Sequence, residues 1–252
     1  MGYGFDYIMS SNSSIPPLRE YKRWYDNGQL LVHEYYRDGK PEGERKTWHE
    51  NGHLWEHEFY RDGKEDGECK TWYLNGQLMI LKNYIHGKLE GELKKWHDNG
   101  QLWIQEFYRN DQLEGESKMW YVNGVQKMRK FHRNGLLEGE LKHWCDEGKL
   151  WEHEFYRDGE PDGEARRWYK NGRLEIRKFY WNGELEGVCT SWYNNGKIKK
   201  QDFWRDGYLI DQDFTFAKRQ IFLRIIRNSQ QRVINSANTM LISDLSRIVG
   251  RF

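Results

Sequence analysis

Three cysteines and four prolines are all that this 252-residue chain contains of either. Cys69, Cys145 and Cys189 are few and widely separated, which excludes a disulfide framework and a paired-cysteine zinc site. Reduced thiols are the expectation. Net charge is nearly absent too. Lys and Arg number 40 against 39 Asp and Glu, leaving +1, so bulk charge supplies no pull toward nucleic acid or an anionic membrane. No apolar run approaches the ~20 residues a membrane helix needs. The start of the chain lacks the basic flank and apolar stretch of a secretory signal. Asp6 stands where a myristoylation site beginning at Gly2 would carry Ser or Thr. These absences predict an intracellular, cytoplasmic protein that is neither secreted nor membrane-spanning. Aliphatic residues are scarce and mean hydropathy is −1.05, which argues against a thick aliphatic core.

What is present is aromatic and turn-forming. Aromatics make up 16% of the chain and glycines number 25, a balance that suits a thin β-structure with rings covering a sheet. The rings are periodic. Trp24, Trp48, Trp72, Trp96, Trp120, Trp144, Trp168 and Trp192 are 24 residues apart at every step. A glycine follows four residues after each, from Gly28 to Gly196. Most repeats then show an aromatic pair such as Phe59-Tyr60, and two more glycines such as Gly63 and Gly67. Self-similarity on this scale marks a repeat architecture.

Two chain reversals fall in each repeat. Asn51-Gly52 between aromatic-rich runs reads as a type I′ hairpin turn, and Asp62-Gly63 reverses the chain again. Two strands of about six to eight residues per repeat follow. Pro41 and Pro161 fall in the second reversal, where no ladder donor is lost. A two-residue turn at Asn51-Gly52 places His49 opposite Leu54, Trp48 opposite Trp55, Lys46 opposite His57 and Arg45 opposite Glu58. One face then carries Glu44, Lys46, Trp48, Trp55, His57 and Phe59; the other carries Arg45, Thr47, His49, Leu54, Glu58 and Tyr60. Both faces are mixed, as expected of a single-layer sheet with solvent on both sides and cross-strand ring contacts.

A 48-residue period overlies the first. Leu54-Trp-Glu-His-Glu-Phe-Tyr60, Leu102-Trp-Ile-Gln-Glu-Phe-Tyr108 and Leu150-Trp-Glu-His-Glu-Phe-Tyr156 are alternate repeats. Glu58, Glu106 and Glu154 thereby alternate with Lys82, Lys130 and Lys178 in one column. This reads as a duplicated two-repeat ancestor, or as a charge ladder between repeats. The pattern divides the chain into a flexible leader (1–18), the array (19–210) and a tail (211–252). The tail holds seven Arg or Lys and three Asp. Residues 214–234 read as a basic amphipathic helix, with Phe222, Ile225 and Ile226 beside Arg219, Arg224 and Arg227. A second short helix is expected at 239–249. The tail caps an open sheet edge or docks on a partner or membrane surface.

The Trp/Tyr–x–Asn-Gly–x–Leu, aromatic–Tyr–x–x-Gly–x–x–x-Gly-Glu pattern resembles MORN repeats. It is similar to the variant type found in bacterial antitoxin-like proteins and in MORN-repeat proteins of large amoeba-infecting DNA viruses. The resemblance covers about residues 19–210. It implies an all-β repeat: an elongated single-layer antiparallel sheet of about eight 24-residue β-hairpins, here with a short C-terminal α-helical tail. Family members include scaffolds, membrane-associated adaptors and antitoxins. Asn83, Asp111, Gln126 and Val188 depart from the pattern, which expects an aromatic, Gly, Leu and Glu there.

No catalytic, cofactor or metal site is expected. Glu56-His57-Glu58 and Glu152-His153-Glu154 do not make a ligand set, because on a strand the His points away from both Glu. Phosphate loops and nucleophile elbows are missing from the sequence. Lys22, Lys46, Lys70, Lys94, Lys118, Lys142 and Arg166 form a basic column beside the Trp column. Basic residues interleaved with rings can bind an anionic partner. Glu44, Glu68, Glu92, Glu116, Glu140 and Glu164 stand two residues earlier on the same face. Ion pairs between repeats are therefore the plainer reading of the lysines. The candidate partner-binding residues are Lys46, Lys70, Lys94, Lys118 and Lys142, with Arg219, Arg224 and Arg227 in the tail.

The expected function is a non-enzymatic protein–protein interaction or structural scaffold, with a viral structural or assembly role and virion association among the outcomes the resemblance implies. A membrane- or lipid-associated adaptor working through 214–234 and an antitoxin-like inhibitor of a toxin remain open. Nucleic acid and small-molecule substrates are not expected partners.

Overall fold

The computed structural model describes residues 16–212. The first fifteen residues, and the two helices expected at 214–234 and 239–249, lie outside the described residues. The described residues are all-β: an antiparallel open sheet of 24 strands in hairpin repeats. Each repeat contributes a six-residue strand ending on the column tryptophan, an eight-residue strand and a two-residue strand, which in the last repeat is lengthened to the five residues Tyr208–Gln212. Gly43–Trp48, Leu54–Arg61 and Lys64–Glu65 are one such set.

The described residues divide into two compact units, 16–126 with 132–135, and 127–131 with 136–212. The first unit holds the hairpins Arg19–Trp24/Leu30–Arg37, Gly43–Trp48/Leu54–Arg61, Gly67–Trp72/Leu78–Ile85 and Gly91–Trp96/Leu102–Arg109. Each joins the next by a short antiparallel ladder, as at Val32↔Thr47 and His33↔Lys46. The second unit holds Gly139–Trp144/Leu150–Arg157, Gly163–Trp168/Leu174–Trp181 and Gly187–Trp192/Ile198–Arg205, and ends on Tyr208–Gln212.

The two reversals exchange the roles expected of them. At the Asn-Gly loop, Gly52 N–H donates to His49 O and His49 N–H donates to His53 O, both at 2.8 Å. Gly52 has a φ of +83° while Asn51 is not among the left-handed residues. This is a three-residue loop closed by a left-handed glycine. The two-residue turn with positive φ at both centres is Asp62-Gly63, at +51° and +81°, flanked by the Arg61↔Lys64 pair. That is the type I′ signature.

The extra loop residue changes the register near the turn. Arg45↔Glu58 and Lys46↔His57 pair as expected, but a bulge between Thr47 and Trp48 places Trp48 opposite Leu54. His49 does not face Leu54, and Trp48 does not face Trp55. Trp55 is the unpaired bulge residue, and its ring lies 5.7 Å from the His49 ring. The bulge thus carries Trp55 off the face assigned to it.

The two faces are unequal as well as mixed. In the first unit Thr47, Glu58, Cys69, Leu93 and Ser117 are buried. All belong to the face of Arg45 and Tyr60. Leu141, Ala165 and Asp202 repeat this in the second unit, where Thr190 and Phe203 of the opposite face are buried as well. Long neighbours such as arginine, tyrosine and glutamate lie across the small residues, so a single layer still buries one side.

Side chains staple one repeat to the next. Tyr25 and Tyr73 hydroxyls donate to the carbonyls of Trp48 and Trp96 at 2.9 and 2.7 Å. Asn75 Nδ2 donates to Asp98 O at 2.9 Å while its Oδ1 accepts from Gln77 N–H at 3.0 Å. The asparagine therefore shapes its own loop and holds the next. Asn171 does the same in the second unit, with Asn194 O at 3.1 Å and Arg173 N–H at 3.0 Å. The repeat of Trp144 carries Glu147 at this position, where the carboxylate meets Lys149 and Lys170, at 2.8 and 3.1 Å. Exposed pairs of that kind contribute little. Glu147→Asn is expected to raise stability slightly through regained hydrogen bonds. A shift of the urea midpoint with unchanged slope checks it, and no gain would show that the loop does not depend on the amide.

The pattern departures have local answers. Asp111 stands where other repeats have glycine, at a φ of +69°. Its carboxylate accepts from Leu89 N–H at 2.7 Å and its own N–H donates to Leu89 O at 3.0 Å. Pro41 and Pro161 pair with Tyr36 and Tyr156. Their carbonyls accept from Gly63 and Gly183 N–H, at 3.0 and 2.9 Å.

Candidate functional site

The lysine column lies on the less buried face, and its charge is cancelled within each strand. Lys46 Nζ lies 2.7 Å from Glu44, Lys94 2.7 Å from Glu92, Lys118 2.5 Å from Glu116 and Lys142 2.6 Å from Glu140. Lys70 pairs with Glu68 in the same way. The pairs expected between repeats are thus between residues two apart on one strand, whose side chains share a face. The glutamates are gripped from the facing strand too: His57 lies 2.8 Å from Glu44, and Gln105 donates to Glu92 at 2.6 Å. The Lys46 hydrogen bond holds the Glu44 carboxyl below its ordinary value, as Lys142 does for Glu140. Burial, aided by Lys142, lowers the His153 imidazole. Arg219, Arg224 and Arg227 lie outside the described residues.

The acid–base column lies on the buried face. Its members bond to tyrosines of their own strands. Tyr60 donates to Glu58 at 2.9 Å, Tyr108 to Glu106 at 2.9 Å and Tyr156 to Glu154 at 2.8 Å. Lys82 Nζ donates to Tyr84 Oη at 3.1 Å. Burial, reinforced by Glu106, pushes the Tyr108 phenol up to about 12. Arg45 reaches Glu34, Glu56 and Glu58 at 3.2, 3.5 and 2.7 Å.

Two clusters were not visible in the sequence. Glu58, Glu65 and Cys69 bring three ligand-type atoms within 4.8 Å of one another. Glu58 is already taken by Arg45 and Tyr60, Lys82 acts on Glu65 and Cys69, and burial pushes the Cys69 thiol up to about 12. Each of these opposes a cation. Ser117 Oγ and His132 Nδ1 are 3.2 Å apart. Both residues are buried, so this pair is closed to a substrate. His57 and His153 turn to Glu44 and Glu140 across the hairpin, away from their sequence neighbours.

The column tryptophans are half-buried, with Trp24 the exposed exception. A second set is more accessible. Trp55 and Trp103 in the first unit, and Trp151 in the second, are 45%, 38% and 36% exposed. Each ring is braced by an imidazole: His49 at 5.7 Å, His97 at 5.4 Å and His143 at 5.4 Å. His143 is held by Glu152 at 2.9 Å. The 48-residue period signalled this set; its exposure follows from the bulge.

A family model described as MORN repeat variant matches residues 20–38, 41–62, 65–86, 89–110, 161–182 and 185–206, just over half of the chain. The chain belongs to the MORN repeat variant family. No match is found among curated proteins. The family matches leave 111–160 uncovered, the stretch that holds Asp111, Gln126 and Glu147. The structure nevertheless forms the hairpin Gly139–Trp144/Leu150–Arg157 there. MORN repeats are generally associated with protein–protein or membrane interactions, and the all-β repeat fold is typically non-catalytic. Among the described residues no helix is long and apolar enough to cross a membrane.

Proposed function

We propose that this MORN-repeat protein is a non-enzymatic scaffold that binds other proteins through its repeated surface. One observation carries the reading: the exposed tryptophans Trp55, Trp103 and Trp151 recur every second repeat, each braced by an imidazole. Rigid exposed tryptophan is the residue most enriched at the energetic centres of protein interfaces. The lysine column supports the same reading, because lysines cancelled by neighbouring glutamates supply little attraction for an anionic polymer or bilayer beyond a Debye length of ~8 Å. A role in assembling a larger particle, viral or otherwise, fits a scaffold. An antitoxin-like inhibitor is the same binding chemistry directed at one target.

A membrane adaptor is the second reading, favoured by the net charge of the seven basic and three acidic residues in 211–252. Co-sedimentation of the full chain with phosphatidylserine-rich vesicles separates the two. The protein is expected to stay in the supernatant at physiological salt. Salt-sensitive sedimentation abolished by Arg219→Glu, Arg224→Glu and Arg227→Glu together would overturn the scaffold reading in favour of the adaptor.

A further inference from the structure

Beyond a general scaffold role, the turn edges of the repeats carry a second charge pattern. The residue after the two-residue turn is Lys40, Lys64, Lys88 or Gln112 in the first unit and Leu136, Glu160, Glu184 or Tyr208 in the second, so five of these positions carry charge, basic in the first unit and acidic in the second. All five are exposed. Among the described residues none of the five makes an ion pair, in contrast to Lys46 or Lys94, each neutralised on its own strand. The turns that hold these five residues follow the same polarity, while Arg109-Asn-Asp-Gln112 and Arg205-Asp-Gly-Tyr208 are neutral and Arg133-Asn-Gly-Leu136 between the two rows carries +1. Arg37-Asp-Gly-Lys40, Arg61-Asp-Gly-Lys64 and Ile85-His-Gly-Lys88 each carry +1, whereas Arg157-Asp-Gly-Glu160 and Trp181-Asn-Gly-Glu184 each carry −1.

The backbone frame beneath the charges is the same in both units. Each turn is a left-handed pair, such as Asp62-Gly63 and Asp158-Gly159. Lys40, Lys64, Glu160 and Glu184 each lean over the glycine of the next turn. A Cβ on Gly87 would lie 3.3 Å from Lys64 Cβ, and one on Gly183 would lie 3.0 Å from Glu160 Oε2. Equal frames give equal spacing, so a basic row and an acidic row built on the same repeat can meet charge against charge along their length. Isologous contact between two copies of one chain needs this self-complementarity.

We infer that the occupant of these edges is a second copy of this chain, the basic turn edge of the first unit of one copy lying along the acidic turn edge of the second unit of the other. Antiparallel alignment brings Lys64 to Glu184 and Lys88 to Glu160 of the second copy. Exposed pairs are individually weak and screened by salt, so this dimer is salt-sensitive, and charge sets its register more than its strength.

Sedimentation velocity of the full chain tests it. The wild type is expected to dimerise at low ionic strength and to weaken about tenfold or more on raising salt to ~0.5 M. Lys64→Glu/Lys88→Glu and Glu160→Lys/Glu184→Lys are each expected to be monomeric. An equimolar mixture of the two variants is expected to recover the dimer, because both rows are again opposed in sign. All four positions are exposed on turns, and unchanged circular dichroism of each variant confirms folding. A wild type monomeric at low salt, a dimer indifferent to both reversals, or a mixture that stays monomeric would overturn the proposal. So would a monomer whose 213–252 segment becomes protease-sensitive in Glu160→Lys/Glu184→Lys, which would place the chain's own basic tail on the acidic row.

Discussion

Arg45→Leu is expected to destabilise the protein by about 2–4 kcal/mol at neutral pH, discounted for partial exposure from the cost of breaking a buried ion pair. Arg45 is the cation nearest Glu34, Glu56 and Glu58, and it reaches all three. Shape does not cause the loss, because Leu93 and Leu141 occupy the same repeat position. At Leu93 the surroundings differ: Glu106 stands opposite as Glu58 does, but the repeat positions of Glu34 and Glu56 are held by Lys82 and Ile104. The pH dependence gives a second readout. Burial, then Glu58, raises the Glu56 carboxyl above its ordinary value, while Arg45 lowers it. A raised carboxyl contributes stability below the unfolded value of about 4.3 and loses it as pH rises through the folded value. Without Arg45 the folded value rises further, so the deficit should be larger at pH 7 than near pH 5. Urea denaturation at the two pH values measures it. An equal deficit at both would point to lost packing rather than lost charge. Arg45→Leu combined with Glu58→Gln should recover part of the loss, since neighbouring sites couple.

Gly67→Ala is expected to cost about 2–4 kcal/mol through backbone strain and overpacking. Its φ is +129°, and a Cβ there would lie 3.2 Å from the Phe59 Cβ. Gly91 is the matched control in the same unit. Its φ is +85° and a Cβ would meet nothing within 4 Å, so Gly91→Ala should cost only the left-handed penalty, about 1–2 kcal/mol. The difference in urea midpoints between the two variants reads the close approach directly. Equal midpoints would show that the Phe59 side chain yields without cost.

The 24-residue period made the strands legible, because glycine and asparagine punctuate ring-bearing runs of fixed length. The register near the turn was not legible, because Asn51-Gly52 can close a two-residue or a three-residue loop. One residue of difference moves Trp55 from a paired position to a bulge. Its exposure follows from that shift, so a tryptophan counted as part of the sheet face became the candidate contact. The unequal faces were hidden for another reason: residues such as Thr47 and Glu58 are polar, and their burial comes from long neighbours rather than from their own character. Glu44 and Lys46 could be placed on one face from the sequence alone. Their pairing along a strand, with His57 closing from across the hairpin, needed side-chain positions.

Affinity capture of the protein from its native source, comparing wild type with Trp55→Ala/Trp103→Ala/Trp151→Ala, tests the scaffold claim most directly. A co-purifying protein is expected near stoichiometry with the wild type and should fall by about tenfold or more with the triple variant, as when central tryptophans of an interface are truncated. A partner retained undiminished by a folded triple variant, or no stoichiometric protein with the wild type, would contradict it.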